Sequence, residues 1–176
     1  MSALYVDSIK DKSDTKTLAT LSSSAVTLHS DVSFPSGHIL QVVSNSTTGR
    51  SQTDVQTWSQ KWSKTVTITP KLASSNCFLI ASFQTISSSG AGFYDFYKNS
   101  TDVTETFNLS TVSYGLGNAN TDLDTIAITF IDERSENTTN TITYGVGYRS
   151  GSGGTINVGD SNTNSKNTIT VMEIAT

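Results

Sequence analysis

The sequence contains little charge, little proline and almost no cysteine. Its 176 residues include 11 Lys and Arg, 15 Asp and Glu, two prolines and a single cysteine, Cys77. A net charge of −4 with scattered basic residues provides no positive surface for a phosphate backbone, so we expect no nucleic-acid binding. One cysteine excludes an internal disulfide and leaves the redox compartment open.

Long apolar segments are also missing. The longest run of aliphatic and aromatic residues, Phe78 to Ala81, is far shorter than the roughly 20 residues that cross a bilayer. The first residues, Met1 to Asp7, lack the charged start and apolar stretch of a secretory signal. The sequence therefore predicts neither membrane insertion nor a signal peptide.

Hydroxyl side chains are abundant instead. The chain has 28 Ser and 28 Thr, together about a third of its residues, and 15 aromatic residues, which are enough for one core. The branched Cβ of Thr suits a pleated strand, whereas Ser, Asn and Gly are typical of turns. This composition favours an all-β fold.

The hydrophobic pattern repeats every two residues, as expected for strands that are buried on one face. No stretch of eleven or more residues has the three-and-four spacing of a helix. Regular strand spacing of this kind is typical of an antiparallel sandwich or barrel. The glycines at 151–154 separate two strands and suggest a hairpin. The predicted strands are Thr65–Thr69, Phe78–Ile86, Phe93–Tyr97, Thr125–Ile131, Thr141–Arg149 and Thr168–Ile174.

The N-terminal part differs, because its apolar residues occur singly among polar ones. We predict an extended arm over residues 1–37 and a β-sandwich domain over residues 38–176, with the boundary at Pro35-Ser36-Gly37. Ordering an arm of this length costs several tens of kcal/mol, at about 1–2 kcal/mol per residue. Its few apolar side chains offset only part of this cost, so we expect partner subunits to hold the arm. The candidate anchoring residues are Leu4, Tyr5, Val6, Ile9, Leu18 and Leu21.

Both ends of the chain and most of its middle carry motifs that resemble a family of virion proteins. The opening Leu4–Asp11 and the passage Phe34–Val43 are similar to tail-fibre-like proteins of aquatic tailed phages, especially those that infect cyanobacteria. Three further segments match in the same order: Ile68–Lys71, Thr143–Thr155 and Thr168–Ile174.

The resemblance implies a fold and a set of partners. The globular part of such proteins resembles the jelly-roll of the C1q and tumour-necrosis-factor type, which assembles as a homotrimer. It implies a virion protein that is assembled in the host cytoplasm and contacts other phage capsid or tail proteins through its N-terminal arm. The chain has no long repetitive shaft. Capsid decoration (cement) and tail fibre therefore both remain open.

Aromatic residues suggest an alternative function. Five of them could form a surface that stacks on a host glycan at the tip of a fibre or spike. The competing interpretation places them in the core or at a trimer interface. The residues are Trp58, Trp62, Tyr94, Tyr97 and Tyr114.

The sequence offers few groups for catalysis or metal binding. His29 and His38 with Asp31 are too few for a metal site without a fourth ligand, and Cys77 opens an apolar strand. The hydrolase elbow, the phosphate loop and the dinucleotide glycine pattern are absent. We expect no enzyme activity, no cofactor and no metal.

Acidic residues near strand ends leave open one catalytic alternative, a polysaccharide depolymerase that uses paired carboxylates. The simpler interpretation is that these residues keep loop tips soluble. The residues are Asp122, Asp124, Asp132, Glu133 and Glu136.

Overall fold

The structure is a computed structural model. The regular secondary structure of its described residues consists of β-strands. In the same part of the chain, no helix is long and apolar enough to cross a membrane. The described residues are 8–10, 17–22, 26–28, 34–47, 51–53, 56, 60–87, 91–100, 106–107, 116–117, 120–151, 154–158 and 167–176.

The chain divides into two compact units, Met1–Pro35 and Ser36–Thr176. The first unit contains three short antiparallel strands, β1 (Ser8–Lys10), β2 (Thr17–Leu21) and β3 (Val26–Leu28), in the order β1-β2-β3. The expectation of a simply extended arm is therefore wrong for these residues, since hydrogen bonding between neighbouring segments folds them into a small sheet.

The second unit consists of antiparallel strands in two sheets that form a sandwich-like arrangement, as the sequence predicted. The six-stranded sheet contains β4 (Ile39–Thr47), β5 (Ser51–Thr53), β7 (Asn76–Ser87), β11 (Asn120–Asp132), β13 (Ile156–Val158) and β14 (Asn167–Ile174). The five-stranded sheet contains β6 (Gln60–Ile68), β8 (Ala91–Ser100), β9 (Thr106–Phe107), β10 (Leu116–Gly117) and β12 (Ile142–Ser150).

Strand β7 organises the six-stranded sheet. One of its sides pairs with β11 from Cys77 to Ser87. Its other side pairs first with β14 and then, further along, with β13. Strands β4 and β5 continue the sheet beyond β14 and β13, so β11 and β4 lie towards opposite edges.

Successive long strands alternate between the two sheets. The chain passes from β4 to β6, β7, β8, β11, β12 and β14, and each step changes sheet. The glycine-rich segment at 151–154 follows the same rule, because it links β12 of one sheet to β13 of the other. The predicted hairpin at this position is therefore wrong.

The core lies between the inner faces of the two sheets. Leu79, Ala81 and Phe83 point inward from β7, and Ile169 and Val171 point inward from β14, all at most 1% exposed. From the five-stranded sheet, the alternating residues of β12 pack against them: Ile142, Tyr144, Val146 and Tyr148. Period-two alternation thus predicted the inward faces of these strands correctly, because each strand is buried on that face.

Candidate functional site

At one end of the sandwich the inner face of the six-stranded sheet changes from apolar to polar. Gln41 of β4 lies opposite Glu173 of β14, Glu173 lies opposite Cys77 of β7, and Cys77 lies opposite Asp132 of β11. Directly paired residues in a sheet project to the same side. We call these four residues the inner polar row.

Glu173 is the most heavily bonded member of the inner polar row. It is fully buried, and its carboxylate accepts hydrogen bonds from the backbone N–H groups of Lys71 (2.7 Å) and Leu72 (2.9 Å). The Ser75 hydroxyl (2.7 Å) and the Gln41 amide (2.6 Å) donate to it as well. The carboxylate therefore fastens the loop between β6 and β7 to the end of β14.

Arg134 joins that loop to the segment that follows β11. Its Nη1 donates to the Ser75 hydroxyl (3.0 Å) and to the Leu72 carbonyl (3.2 Å), and its Nη2 donates to the Thr138 carbonyl. The residue is 5% exposed, so its guanidinium acts as an internal cross-link between two loops.

The five-stranded sheet contributes a lysine and a tyrosine to the same cluster. Lys98 of β8 forms ion pairs with Asp132 (2.7 Å) and with Glu136. The Tyr144 hydroxyl of β12 donates to the same carboxylate oxygen of Asp132 at 2.6 Å. Asp132 thus connects the two sheets at the end of the core.

Burial and hydrogen bonding set the protonation of the cluster. For Glu173 and Glu136, burial is the largest influence and opposes ionisation. The donors around each carboxylate outweigh it and hold the pKa below the ordinary value of 4.5. Burial raises the pKa of the Cys77 thiol to about 11 and also raises the pKa of Tyr144. At neutral pH both glutamates are therefore ionised, and the thiol stays protonated.

This arrangement is better suited to stabilising the fold than to catalysing a reaction. A protonated thiol is a poor nucleophile, and the carboxylates of Asp132 and Glu136 are both paired with Lys98. Within the described ranges, no group of three or more His, Cys, Asp or Glu side chains is placed to hold a metal ion. The cluster joins two loops and six strands, which belong to both sheets.

Three of the aromatic residues proposed for glycan stacking have buried side chains. Trp62 and Tyr94 are each 1% exposed and pack against Phe83, with ring centroids 5.8 and 5.3 Å apart. Tyr97 is 4% exposed and its ring fills the space that a Cβ at Gly145 would occupy. The glycan-stacking interpretation is wrong for these three, because their rings are covered. Trp62 and Tyr94 belong to the core, whereas Tyr97 lies against Gly145 on the opposite face of the five-stranded sheet.

The remaining members of that set, Trp58 and Tyr114, lie outside the described residues. In the N-terminal unit, Ile9 is 50% exposed and Leu21 is partly buried. The side chain of Leu18 lies outside the described part, as do three other anchoring candidates: Leu4, Tyr5 and Val6.

The acidic candidates do not form one group. Asp132 and Glu136 belong to the buried ion-pair cluster, whereas Glu133 is exposed, so the prediction of solvated loop tips is wrong for the first two. The side chains of Asp122 and Asp124 lie outside the described part. Among the histidine candidates, His38 is exposed. The other two, His29 and Asp31, lie outside the described residues.

Sequence reasoning missed the central residues of the cluster. Glu173 occupies an inward position between Val171 and Ala175, both 1% exposed or less. A charged residue in the apolar phase of a strand is a signal for a buried, bonded carboxylate. Arg134 and Lys98 gave no comparable signal, because only the fold brings their loop and strand ends together.

Comparisons with known proteins add one similarity. No protein-family model matches this chain, and no curated protein sequence matches it. Among solved structures it is similar to the "Structure of infectious bursal disease virus Gx strain", with 16% sequence identity and a TM-score of 0.35. The similarity covers 89% of this chain and 42% of that chain, so this chain spans less than half of its length. A likeness at this level defines neither a common strand order nor a common function.

Proposed function

We propose that this chain is a structural protein of a virus particle, in which a trimeric β-sandwich is attached to the particle by its N-terminal unit. In this proposal the chain binds other proteins of the particle and catalyses no reaction. It serves as a capsid decoration (cement) protein or as a component of a tail fibre, and the resemblance of its opening and closing segments to phage virion proteins supports this location.

One observation carries the proposal, namely the size of the N-terminal unit. Its sheet has three strands of only three, five and three residues. Sheets of this size are marginal in water unless they pack against another surface, and units below about 40 residues usually need oligomerisation or cross-links to fold. The unit has no cysteine for a disulfide, since Cys77 is the only one in the chain. We therefore take other subunits of the particle as the surface that stabilises this unit.

The strand connections support a jelly-roll. Consecutive long strands pass from one sheet to the other, from β4 through β14, instead of returning within a sheet as hairpins. In the double-sheet jelly-rolls of capsids, consecutive strands also alternate between the two sheets, and broad sheet faces are left free for contacts between subunits.

The inner polar row supports a passive role. Its charged members Glu173 and Asp132 are bonded inside the molecule, to loop residues and to Lys98 of the other sheet. A glycan-binding tip would need an exposed aromatic surface, and Trp62, Tyr94 and Tyr97 do not supply one. Attachment to a host surface therefore stays the weaker proposal.

Quantitative mass spectrometry of purified virus particles that carry this gene tests the proposal. We expect the chain in intact particles. A copy number comparable with that of the capsid protein supports decoration, and one comparable with that of tail proteins supports a fibre. Particles that lack the chain would contradict a structural role. Normal incorporation of a chain from which residues 1–35 have been deleted would contradict attachment through the N-terminal unit.

A further inference from the structure

The outer face of the six-stranded sheet carries an apolar row directly behind the inner polar row. Val42 of β4 lies opposite Met172 of β14, Met172 lies opposite Phe78 of β7, and Phe78 lies opposite Ile131 of β11. We call these four residues the outer apolar row. Val42 and Ile131 are 54% and 49% exposed, and Phe78 and Met172 are partly exposed.

The apolar surface extends beyond this row. Ile39, which is 51% exposed, lies opposite Ile174, and Ile80 follows Phe78 on the same face. Among the described residues, three of the four large hydrophobic side chains that are about half exposed therefore belong to this face. Contiguous exposed apolar surface of this kind marks a contact site.

Among the side chains that the structure describes, none at an outward strand position of β4, β14, β7 and β11 is charged. The outward positions besides the apolar ones hold only Ser, Thr, Asn, Gln and Ala: Ser44, Ser46, Asn76, Ser82, Gln84, Thr125, Ala127, Thr129, Thr168 and Thr170. A sheet face that is exposed to solvent normally carries charged residues, which also oppose unwanted contacts with other chains. A neutral face of this kind meets no like-charge repulsion from its own copy.

The hydroxyl groups on the face are suited to burial. The Ser44 and Thr170 hydroxyls hydrogen-bond to each other across β4 and β14 at 2.9 Å. A polar group that already has a partner within its own chain costs little when water is removed. Contact over this part of the face would therefore leave these two hydroxyls bonded.

The size of the face matches what a stable contact needs. Four strands about 4.8 Å apart, over nine residues at about 3.3 Å each, cover roughly 500 Å² in projection. A contact that covers this face on one copy and an equal area on the next copy buries about 1,000 Å² in total, the lower limit for a specific interface. The face is thus large enough for contact with the next copy in a ring of three.

We infer that the outer face of the six-stranded sheet, centred on Val42, Met172, Phe78 and Ile131, is the surface through which copies of this chain bind one another. This inference deepens the proposed function, because it names the surface by which the trimer forms. A partner recognised by opposite charge does not fit the face, since its described outward side chains carry no charge.

The test compares two charge-adding variants of the full chain by size-exclusion chromatography with light scattering. Val42→Asp places a carboxylate in the outer apolar row at a position that is exposed in the single chain. Thr67→Asp places the same carboxylate at an exposed position of the five-stranded sheet and serves as the matched control. We expect wild type and Thr67→Asp to elute as trimers, and Val42→Asp to elute mainly as a monomer, with a dissociation constant raised at least tenfold.

The outcomes separate this inference from the trimer of the proposed function. Equal assembly of Val42→Asp and wild type overturns the inference and leaves the trimer intact. A wild-type dimer that Val42→Asp dissociates supports the surface and contradicts the trimer. A monomeric wild type overturns both.

A second measurement covers the case in which Val42→Asp fails to fold. Ser44→Cys adds an exposed thiol to the face, and the buried native Cys77, with its raised pKa, does not compete for the label. The electron paramagnetic resonance spectrum of a spin label at position 44 should broaden because copies are in contact there. The spectrum of a label introduced by Thr67→Cys should not broaden. Absence of broadening at position 44 in an assembled sample overturns the inference.

Discussion

The two sides of the six-stranded sheet differ at one end in a way that reverses the usual distribution of side chains. Facing the core are Gln41, Glu173, Cys77 and Asp132, and facing outward from the neighbouring positions are Val42, Met172, Phe78 and Ile131. Elsewhere in the sheet the inward residues are apolar, as at Leu79 and Val171. The same four strands therefore carry polar groups inside and apolar groups outside.

The difference indicates that the two rows have separate tasks. Each buried charge of the inner polar row has partners within the chain, so this row acts on folding. The outer apolar row has no such task in the single chain, because Val42 and Ile131 are about half exposed. Mutations in the inner row should change stability, and mutations in the outer row should change assembly.

Loss of the Glu173 carboxylate should give the largest effect on folding. Glu173→Leu leaves the donors of Lys71, Leu72 and Ser75 without their acceptor, and the free energy of unfolding should fall by about 3–5 kcal/mol. Urea denaturation measures the change. The exposed Glu133→Gln is the matched control and should change stability by at most about 0.5 kcal/mol. A loss below 1 kcal/mol for Glu173→Leu would show that the row does not support folding.

Removal of the lysine charge should have the next largest effect. Lys98→Met leaves Asp132 and Glu136 as buried neighbours of like charge, and should cost about 3 kcal/mol. Combining it with Glu136→Gln should cost less than the sum of the two single changes, because the second change removes a carboxylate that the first left unpaired. Additive costs in urea denaturation would contradict the pairing.

Acid should weaken the fold through Glu173 of the inner polar row and through Glu136, which pairs with Lys98. The pKa values of Glu173 and Glu136 lie below 4.5 in the folded chain, so the unfolded chain binds more protons as the pH falls towards and below this value. The stability that these carboxylates give is complete above pH 4.5 and is lost as the pH falls through their folded pKa values. Urea midpoints measured from pH 6 to pH 3 should therefore decrease. Glu173→Gln should flatten this decrease, and an unchanged slope in that variant would rule out Glu173 as a source.

Cys77 gives the smallest predicted effect, which concerns reactivity and not stability. Its thiol is buried and its pKa is about 11, so a thiol reagent at pH 8 should react with it only after denaturant is added. A colour assay for free thiol measures this directly. Rapid reaction of the native chain would mean that the inner polar row is open to solvent.

Much of the fold was predictable, because period-two alternation depends on burial of one face. It located β7 and β12 and their inward faces, and it placed Met172 and Ile174 on the side of β14 opposite Ile169. The short strands β5, β9, β10 and β13 were not predictable, since two or three residues carry no period. Their existence depends on pairing with longer neighbours.

The candidate site was predictable only in part. Glu173 breaks the apolar phase of its strand, which marks it as a buried carboxylate. The partners Arg134 and Ser75 lie 59 positions apart and meet only because β7 and β11 are paired. The burial of Trp62 and Tyr94 could not be separated from surface exposure by sequence, because aromatic residues suit both places.

The mass of the intact wild-type chain in solution, measured by sedimentation equilibrium at micromolar concentration and above, tests the central claim most directly. If the outer apolar row exists for assembly, the dominant species should have three times the chain mass of 18.8 kDa. A single species of 18.8 kDa at every concentration, with that row open to water, would contradict the account.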